Sequence, residues 1–198
     1  MFLDIQPVRS IMGGSLDVQH AALTAAQIFV QGDLVFMAAA GTLSGFPQDG
    51  TEAIVADGVL LAAIVGVAAW GPGQVATAEF NRTRVMTNPI TGNAFATGDL
   101  IGYYPARKGN LFKAQVLATG GASAGVGLTT HKGELFQLTH SAGTTPDLGW
   151  GVELTAGVPG TDIVAAVVEV LAADGRPSTT AGTHFLFEIL TGLPLALS

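Results

Sequence analysis

Apolar residues fall in short runs cut by glycine and proline, without the three-to-four spacing of a long amphipathic helix. The runs are rich in Val, Ile, Leu, Thr and Phe, and 27 glycines and nine prolines separate them, a pattern of strands joined by tight turns. It predicts strands at Gln27–Val30, Leu34–Ala38, Ala53–Val55, Val59–Val67, Leu100–Tyr104, Leu111–Leu117, Leu135–Thr139, Trp150–Leu154, Ile163–Leu171 and His184–Leu190. One stretch favours a helix. Ser15 can cap Ser15–Ala26, which contains the helix formers QHAALTAA. The fold class expected is all-β: a glycine-rich antiparallel β-sandwich or β-barrel with few helices.

One phrase occurs twice. FVQGDLV at Phe29–Val35 returns as FATGDLI at Phe95–Ile101, displaced by 66 positions. Each copy is expected to be a hairpin, with glycine supplying a positive φ and the aspartate bonding to nearby backbone N–H groups. A second echo pairs Gly58-Val59-x-Leu61 with Gly125-Val126-x-Leu128. Together they suggest a duplicated β unit. The organisation expected is an extended N-terminal arm over 1–14, a first β unit over 15–86, a connector over 87–94 containing TNPITGN, and a second β unit with a C-terminal extension over 95–198.

Composition sharpens this. Charged residues are 12% of the chain and mean hydropathy is +0.48, whereas about 25% charge is ordinary for a soluble domain. So much apolar surface calls for cover by a membrane or by protein contacts. The longest near-continuous apolar run, Val59–Trp70, falls short of the ~20 residues a spanning helix needs. The N-terminus has no secretory leader pattern, so no membrane and a cytoplasmic origin are expected. A net charge of −7 with only eight basic residues argues against nucleic acid. The absence of cysteine removes disulfides, thiolate ligands and a cysteine nucleophile.

Candidate chemistry is sparse. GASAG at Gly121–Gly125 matches the nucleophile elbow of α/β-hydrolases with Ser123 as nucleophile, and Asp162 or Asp174 with His184 follow in the right order; the helix the elbow requires is not encoded after it. GPGQVA at Gly71–Ala76 resembles a dinucleotide fingerprint without its acidic partner. His131 and His140 are not spaced as metal ligands, and Asp33, Asp57, Asp99 and Asp174 sit beside glycine as turn residues. Trp70, Trp150, Tyr103 and Tyr104 suit core packing or subunit contact better than a glycan platform. No catalytic, cofactor or metal site is expected, and the protein is not read as an enzyme.

QGDLVFMAAAGTL (Gln31–Leu43), DGVLLAAIVGVAAWGPGQ (Asp57–Gln74) and TGDLIGYYPA (Thr97–Ala106) resemble, in style, the head-decoration or cement proteins of tailed bacteriophages, over 27–80 and 95–140. That resemblance implies a β body, homotrimers, and docking onto the major capsid protein at the virion surface after synthesis in the host cytoplasm. The final third of the chain departs from it. The expected contact residues are Phe2, Leu3, Ile5, Val8 and Ile11 of the arm, with Leu193, Leu195 and Leu197 of the tail, because apolar termini fray or fold onto a neighbour. The alternatives are a small-molecule or glycan-binding β module and, third, a serine hydrolase using Ser123.

Overall fold

The structure, a computed structural model, describes residues 5–11, 13–24, 29–37, 41–45, 64–72, 88, 91–121, 123–140, 149–159 and 163–190. Over these residues the chain is built from strands: β1 (Gln6–Ser10), β2 (Gln19–Ala22), β3 (Leu34–Met37), β4 (Leu43–Gly45), β5 (Ile64–Ala68), β6 (Leu100–Pro105), β7 (Asn110–Leu117), β8 (Gly127–Leu128), β9 (Leu135–His140), β10 (Trp150–Ala156), β11 (Val164–Leu171), β12 (Ala181–Gly182) and β13 (His184–Leu190). One 3-10 turn spans Thr129–His131. The predicted all-β class holds.

The expected helix over Ser15–Ala26 is not formed in its described part. Gln19–Ala22 is β2, antiparallel to β6. Alanine and glutamine favour helix in isolation, but Ala21 and Leu23, two apart, both join one apolar cluster, and that period of two decides for strand. The predicted strand at Gln27–Val30 is also corrected where described, because Phe29 and Val30 lie outside any strand. Ala53–Val55 and the first echo, Gly58–Leu61, lie outside the described residues.

The strands close into two rings. In the second half β7, β10, β9, β11 and β13 pair in that order and β13 pairs back to β7, with β7–β10 the parallel pair. In the first half the order is β2-β6-β5-β3-β4, and a parallel bridge from Leu23 to Leu43 joins its ends. The Thr24 N–H donates to the Leu43 carbonyl at 2.9 Å across that seam. Closure leaves few strand edges exposed.

Both rings have the same connectivity. Taken in chain order, the first strand runs parallel to the third and antiparallel to the fifth, the second pairs with the third and fourth, and the fourth pairs with the fifth. Register agrees too. Matching Leu23 to Val116, Gly32–Met37 to Gly133–Leu138, Leu43 to Val152, Gly66–Ala68 to Ala165–Val167 and Asp99–Pro105 to Thr183–Ile189 carries one set of pairings onto the other. Thus Ala21↔Ile101 becomes Ala114↔Phe185, Met37↔Leu43 becomes Leu138↔Val152, and Ala68↔Tyr103 becomes Val167↔Phe187. The bulges break the match locally, after Val35 in one ring and after Glu153 in the other.

The interiors correspond. Leu23, Val35, Leu43, Ala68, Ile101 and Tyr103 form the first core, and their counterparts Val116, Phe136, Val152, Val167, Phe185 and Phe187 are all buried in the second. The second barrel carries bulkier side chains at several of these positions. The first receives Phe29 as well, fully buried. A side chain on Gly45 or Gly71 would meet the Phe29 ring at 2.7 and 2.5 Å, so glycine is needed at both. Outward-facing Leu34, Ile64 and Val67 of the first barrel belong to the same apolar cluster as the second barrel's interior, joining the two.

The repeated phrase now has a different meaning. In both copies Gly32 or Gly98 takes a positive φ, 93° and 87°, and the aspartate Oδ2 accepts the N–H three residues back, Val30 or Ala96, at 2.8 Å. Each copy also clasps one residue of a neighbouring strand. Gly32 donates to the Ala68 carbonyl and Ala68 donates back to Asp33; Gly98 and Asp99 hold Leu23 in the same way. Neither copy is a hairpin. Each launches a strand whose partners come from elsewhere, and both serve the first barrel, at its second and fifth strands. The structural counterpart of Gly32-Asp33-Leu34 is Gly133-Glu134-Leu135, where Gly133 has φ 83° and the pair clasps Val167.

Pairing also crosses the expected boundaries. β6, placed by sequence at the start of the second unit, pairs with β2 and β5. The described part of the expected arm is β1, an edge strand antiparallel to β7.

Candidate interaction surface

The contact residues predicted from sequence divide three ways. Phe2, Leu3, Leu193, Leu195 and Leu197 lie outside the described residues. Ile5 is buried in the second barrel's cluster at 1% exposure, which corrects its assignment as a free contact residue: the chain entering β1 packs inward before it pairs. Val8 and Ile11 remain available, at 44% and 55% exposure.

Val8 projects where β1 bulges between Pro7 and Arg9. A bulge re-aims a side chain relative to the regular strand. It opens beside a groove of about 290 Å³ lined by Val8, Arg9, Glu169, Leu171, Gly175, Pro177 and Leu186. Its lining includes Leu171 and Leu186, which cluster with the buried Leu111 on the opposite side of the sheet from the barrel interior. One wall is the turn after β11. Gly175 there has φ 82°, the Asp174 Oδ1 accepts the Arg176 N–H at 3.0 Å, and Ala172 and Arg176 pair through their backbones at 2.8 Å. Glu169 forms an ion pair with Lys132, and Arg9 stands on the β1 side. The groove is therefore apolar, with charge at its rim, a surface suited to an apolar segment and lacking convergent groups for acid–base chemistry.

Among the described residues the serine-hydrolase pattern considered from sequence is not assembled, and Gly73–Ala76 of the dinucleotide-like stretch lie outside them. Ser123 lies in a loop that folds back on β7: its carbonyl accepts the Ala118 N–H at 2.9 Å and Ala124 bridges Leu117. The residues after it lead to β8 and a 3-10 turn, so the strand–turn–helix elbow is not formed. The loop is pinned by the buried Glu153, whose Oε1 accepts the Gly120 N–H at 2.7 Å and the Thr155 hydroxyl at 2.6 Å. Sequence reading missed Glu153, and its only signal is an acid inside an otherwise apolar strand. Asp174 belongs to the exposed turn, and Asp162 lies outside the described residues. His184 shares a hydrogen bond with the Thr183 hydroxyl at 3.0 Å. Burial, with Lys113 nearby, pushes its pKa below the ordinary histidine value.

His131 packs edge-on against Phe136 and Phe185, and its Nδ1 accepts the Leu128 N–H at 3.1 Å. His140 lies edge-on to Trp150 at 5.5 Å. Among the described residues no group of three or more His, Asp or Glu could hold a metal ion. Trp150 is fully buried, and Trp70 lies over Gly102 with its indole N–H donating to the Leu100 carbonyl at 3.3 Å. The tryptophans therefore do not share a glycan platform. No helix among the described residues is long and apolar enough to cross a membrane.

No family model, curated protein or solved structure matches the chain significantly.

Proposed function

We propose that this is a structural protein of a virus particle, decorating a tailed-phage capsid and stabilising it by binding the assembled lattice of major capsid protein. The observation that carries this is the exposed Val8 of β1, which lines the apolar groove with Leu171 and Leu186, together with the exposed Ile11 just past the end of the strand. A chain that is 12% charged and leaves these side chains in solvent gains by covering them. A ligand that binds the assembled shell more tightly than its dissociated parts adds its docking free energy to the shell. Association into a homotrimer multiplies modest contacts through multivalency. The role requires no enzyme activity or cofactor, and the protein is placed at the capsid surface.

The N-terminal segment cannot be tested by deletion, because removing Ile5 and β1 would strip the second barrel. Val8→Asp and Ile11→Asp keep the backbone pairing and place charge on the docking face. Each should weaken co-sedimentation with assembled shells by at least tenfold while leaving thermal unfolding unchanged. Undiminished binding by the double variant would refute this placement. A small-molecule module remains the second reading, since the groove could take an apolar ligand; saturable quenching of a hydrophobic probe that survives shell docking would favour it.

A further inference from the structure

The basic residues are not spread evenly over the molecule. The chain has eight of them against 15 acids. All six that lie among the described residues flank β1 or the groove beside it. Arg9 lines the groove and stands opposite Leu111 in the register of β1 on β7. Lys113 lies between Gln6 of β1 and the groove residue Leu186 of β13. Arg107 and Lys108 are exposed in the turn before β7, and the Ile11 N–H ties that turn to the end of β1 by donating to the Gly109 carbonyl at 2.6 Å. Lys132 holds Glu169 on one wall, and Arg176 stands between Gly175 and Pro177 on the other.

These cations are only partly neutralised. Lys132 pairs with Glu169, and Arg176 lies 3.6 Å from Asp174. Among the described residues Arg9, Arg107, Lys108 and Lys113 make no ion pair. The outer face of β13 adds one acid, Glu188, two positions from Leu186. An apolar groove is thus surrounded by a surplus of positive charge, on a chain whose net charge is −7.

We infer that this face receives a short acidic segment of a partner protein, with an apolar side chain seated on Val8, Leu171 and Leu186 and flanking carboxylates on Arg9 and the Arg107–Lys108 turn. Complementary charge selects the partner, and the apolar floor anchors it. Arg9 offers a carboxylate a bidentate pair. Two residues of strand, about 7 Å, separate Arg9 from Ile11 and the turn beside it, a reach that a few extended residues cover. At about 290 Å³ the groove is at the small end for a ligand pocket, so it seats side chains and not a larger ligand. A nucleic acid would leave the apolar floor uncovered and be repelled by the acidic remainder of the chain. The inference deepens the capsid reading and rests on it, because it names the chemistry of the contact that the capsid protein must supply.

Fluorescence anisotropy of a fluorescein-labelled peptide, DDLLDD, titrated with the full chain tests it. Binding should be saturable, should weaken about tenfold between about 50 mM and about 500 mM salt as screening shortens the reach of the charges, and should be matched by neither KKLLKK nor DDSSDD. Arg9→Glu, and Arg107→Glu with Lys108→Glu, should each weaken it about tenfold, the change that losing one charge-assisted contact produces, with thermal unfolding unchanged. Val126→Glu, which adds a carboxylate at an exposed site outside the groove, should leave the affinity as it is. An absence of saturable binding, equal affinity for DDSSDD, KKLLKK or a single-stranded oligonucleotide, or full affinity in Arg9→Glu would each overturn the inference. Shell co-sedimentation separates the two ideas. Shells bound equally well by Arg9→Glu at every salt concentration refute the acidic segment and leave capsid decoration standing, whereas peptide binding as predicted without shell binding refutes the capsid reading and leaves the acidic segment standing.

Discussion

The twin aspartate turns provide a matched pair for measuring what burial adds to one hydrogen bond. Asp33 and Asp99 each accept a backbone N–H at 2.8 Å, on Val30 and Ala96, and each follows a glycine with positive φ. Asp33 is fully buried, whereas Asp99 is open to solvent. Replacing Asp33 by alanine strands the Val30 N–H where water cannot reach it easily. Leaving a buried donor unsatisfied costs about 1–3 kcal/mol, and the small void left behind adds to this. Asp99→Ala removes the same bond, and the Asn88 contact with it, where water can replace the carboxylate, so its loss should still be smaller. Urea unfolding of the two variants against the parent, followed by tryptophan fluorescence and circular dichroism, reads the difference as a shift in midpoint at constant slope. For a chain of this length each kcal/mol also lowers the melting temperature by about 2–4 °C. Equal losses, or a larger loss for Asp99→Ala, would refute the argument that burial sets the strength of these turns.

Four other outcomes follow from the geometry. Phe29→Ala empties the space between Gly45 and Gly71 and should cost about 3–5 kcal/mol by urea unfolding, a loss that filling Gly45 with alanine recovers only in part. The depressed pKa of His184 means that the folded state binds its proton less readily than the unfolded chain. Its contribution to stability is complete above the unfolded value of 6.5 and is lost as pH falls through and below it, and His184→Gln should flatten that part of the stability–pH curve. For Asp99 the Ala96 N–H, with help from Asn88, lowers the carboxyl pKa below 3.8, so its contribution is present above that value and is lost on acidification. Glu153→Ala should destabilise by about 1–3 kcal/mol and speed amide exchange at Gly120 before exchange rises in β10.

The strands of the second half were legible because β7, β9, β10, β11 and β13 are long apolar runs between clear turn residues. β1 and β2 were not. Ile5 looked like part of a free arm because nothing local says that β7, about a hundred positions later, supplies its partner. The alanines around β2 read as helix until long-range pairing with β6 imposed the period of two. The repeat at 66 positions was real as chemistry and misleading as architecture. Gly-Asp-Leu recurs because two strands of one barrel start by the same clasp on a neighbour. The true correspondence between the barrels has no fixed period: equivalent residues are separated by 84 positions for Asp99 and Thr183 but by 109 for Leu43 and Val152. Its side chains differ as well, as Val35 and Phe136 show. Only the glycine, its acid and the following leucine survive from Gly32–Leu34 to Gly133–Leu135, because positive φ and the clasp constrain those residues most tightly. Of the contact residues, the sequence identified Val8 and Ile11 as apolar, but the bulge and the groove beneath them depend on tertiary pairing.

The proposed capsid docking is tested most directly by mixing the purified chain with expanded shells assembled from a tailed-phage major capsid protein and measuring the bound fraction by sedimentation. Saturable binding at a fixed number of copies per shell, absent with unassembled capsid protein and lost in the Val8→Asp, Ile11→Asp double variant, is the predicted result. A chain that stays in the supernatant at every shell concentration, or binds equally well with both apolar side chains replaced, would contradict it.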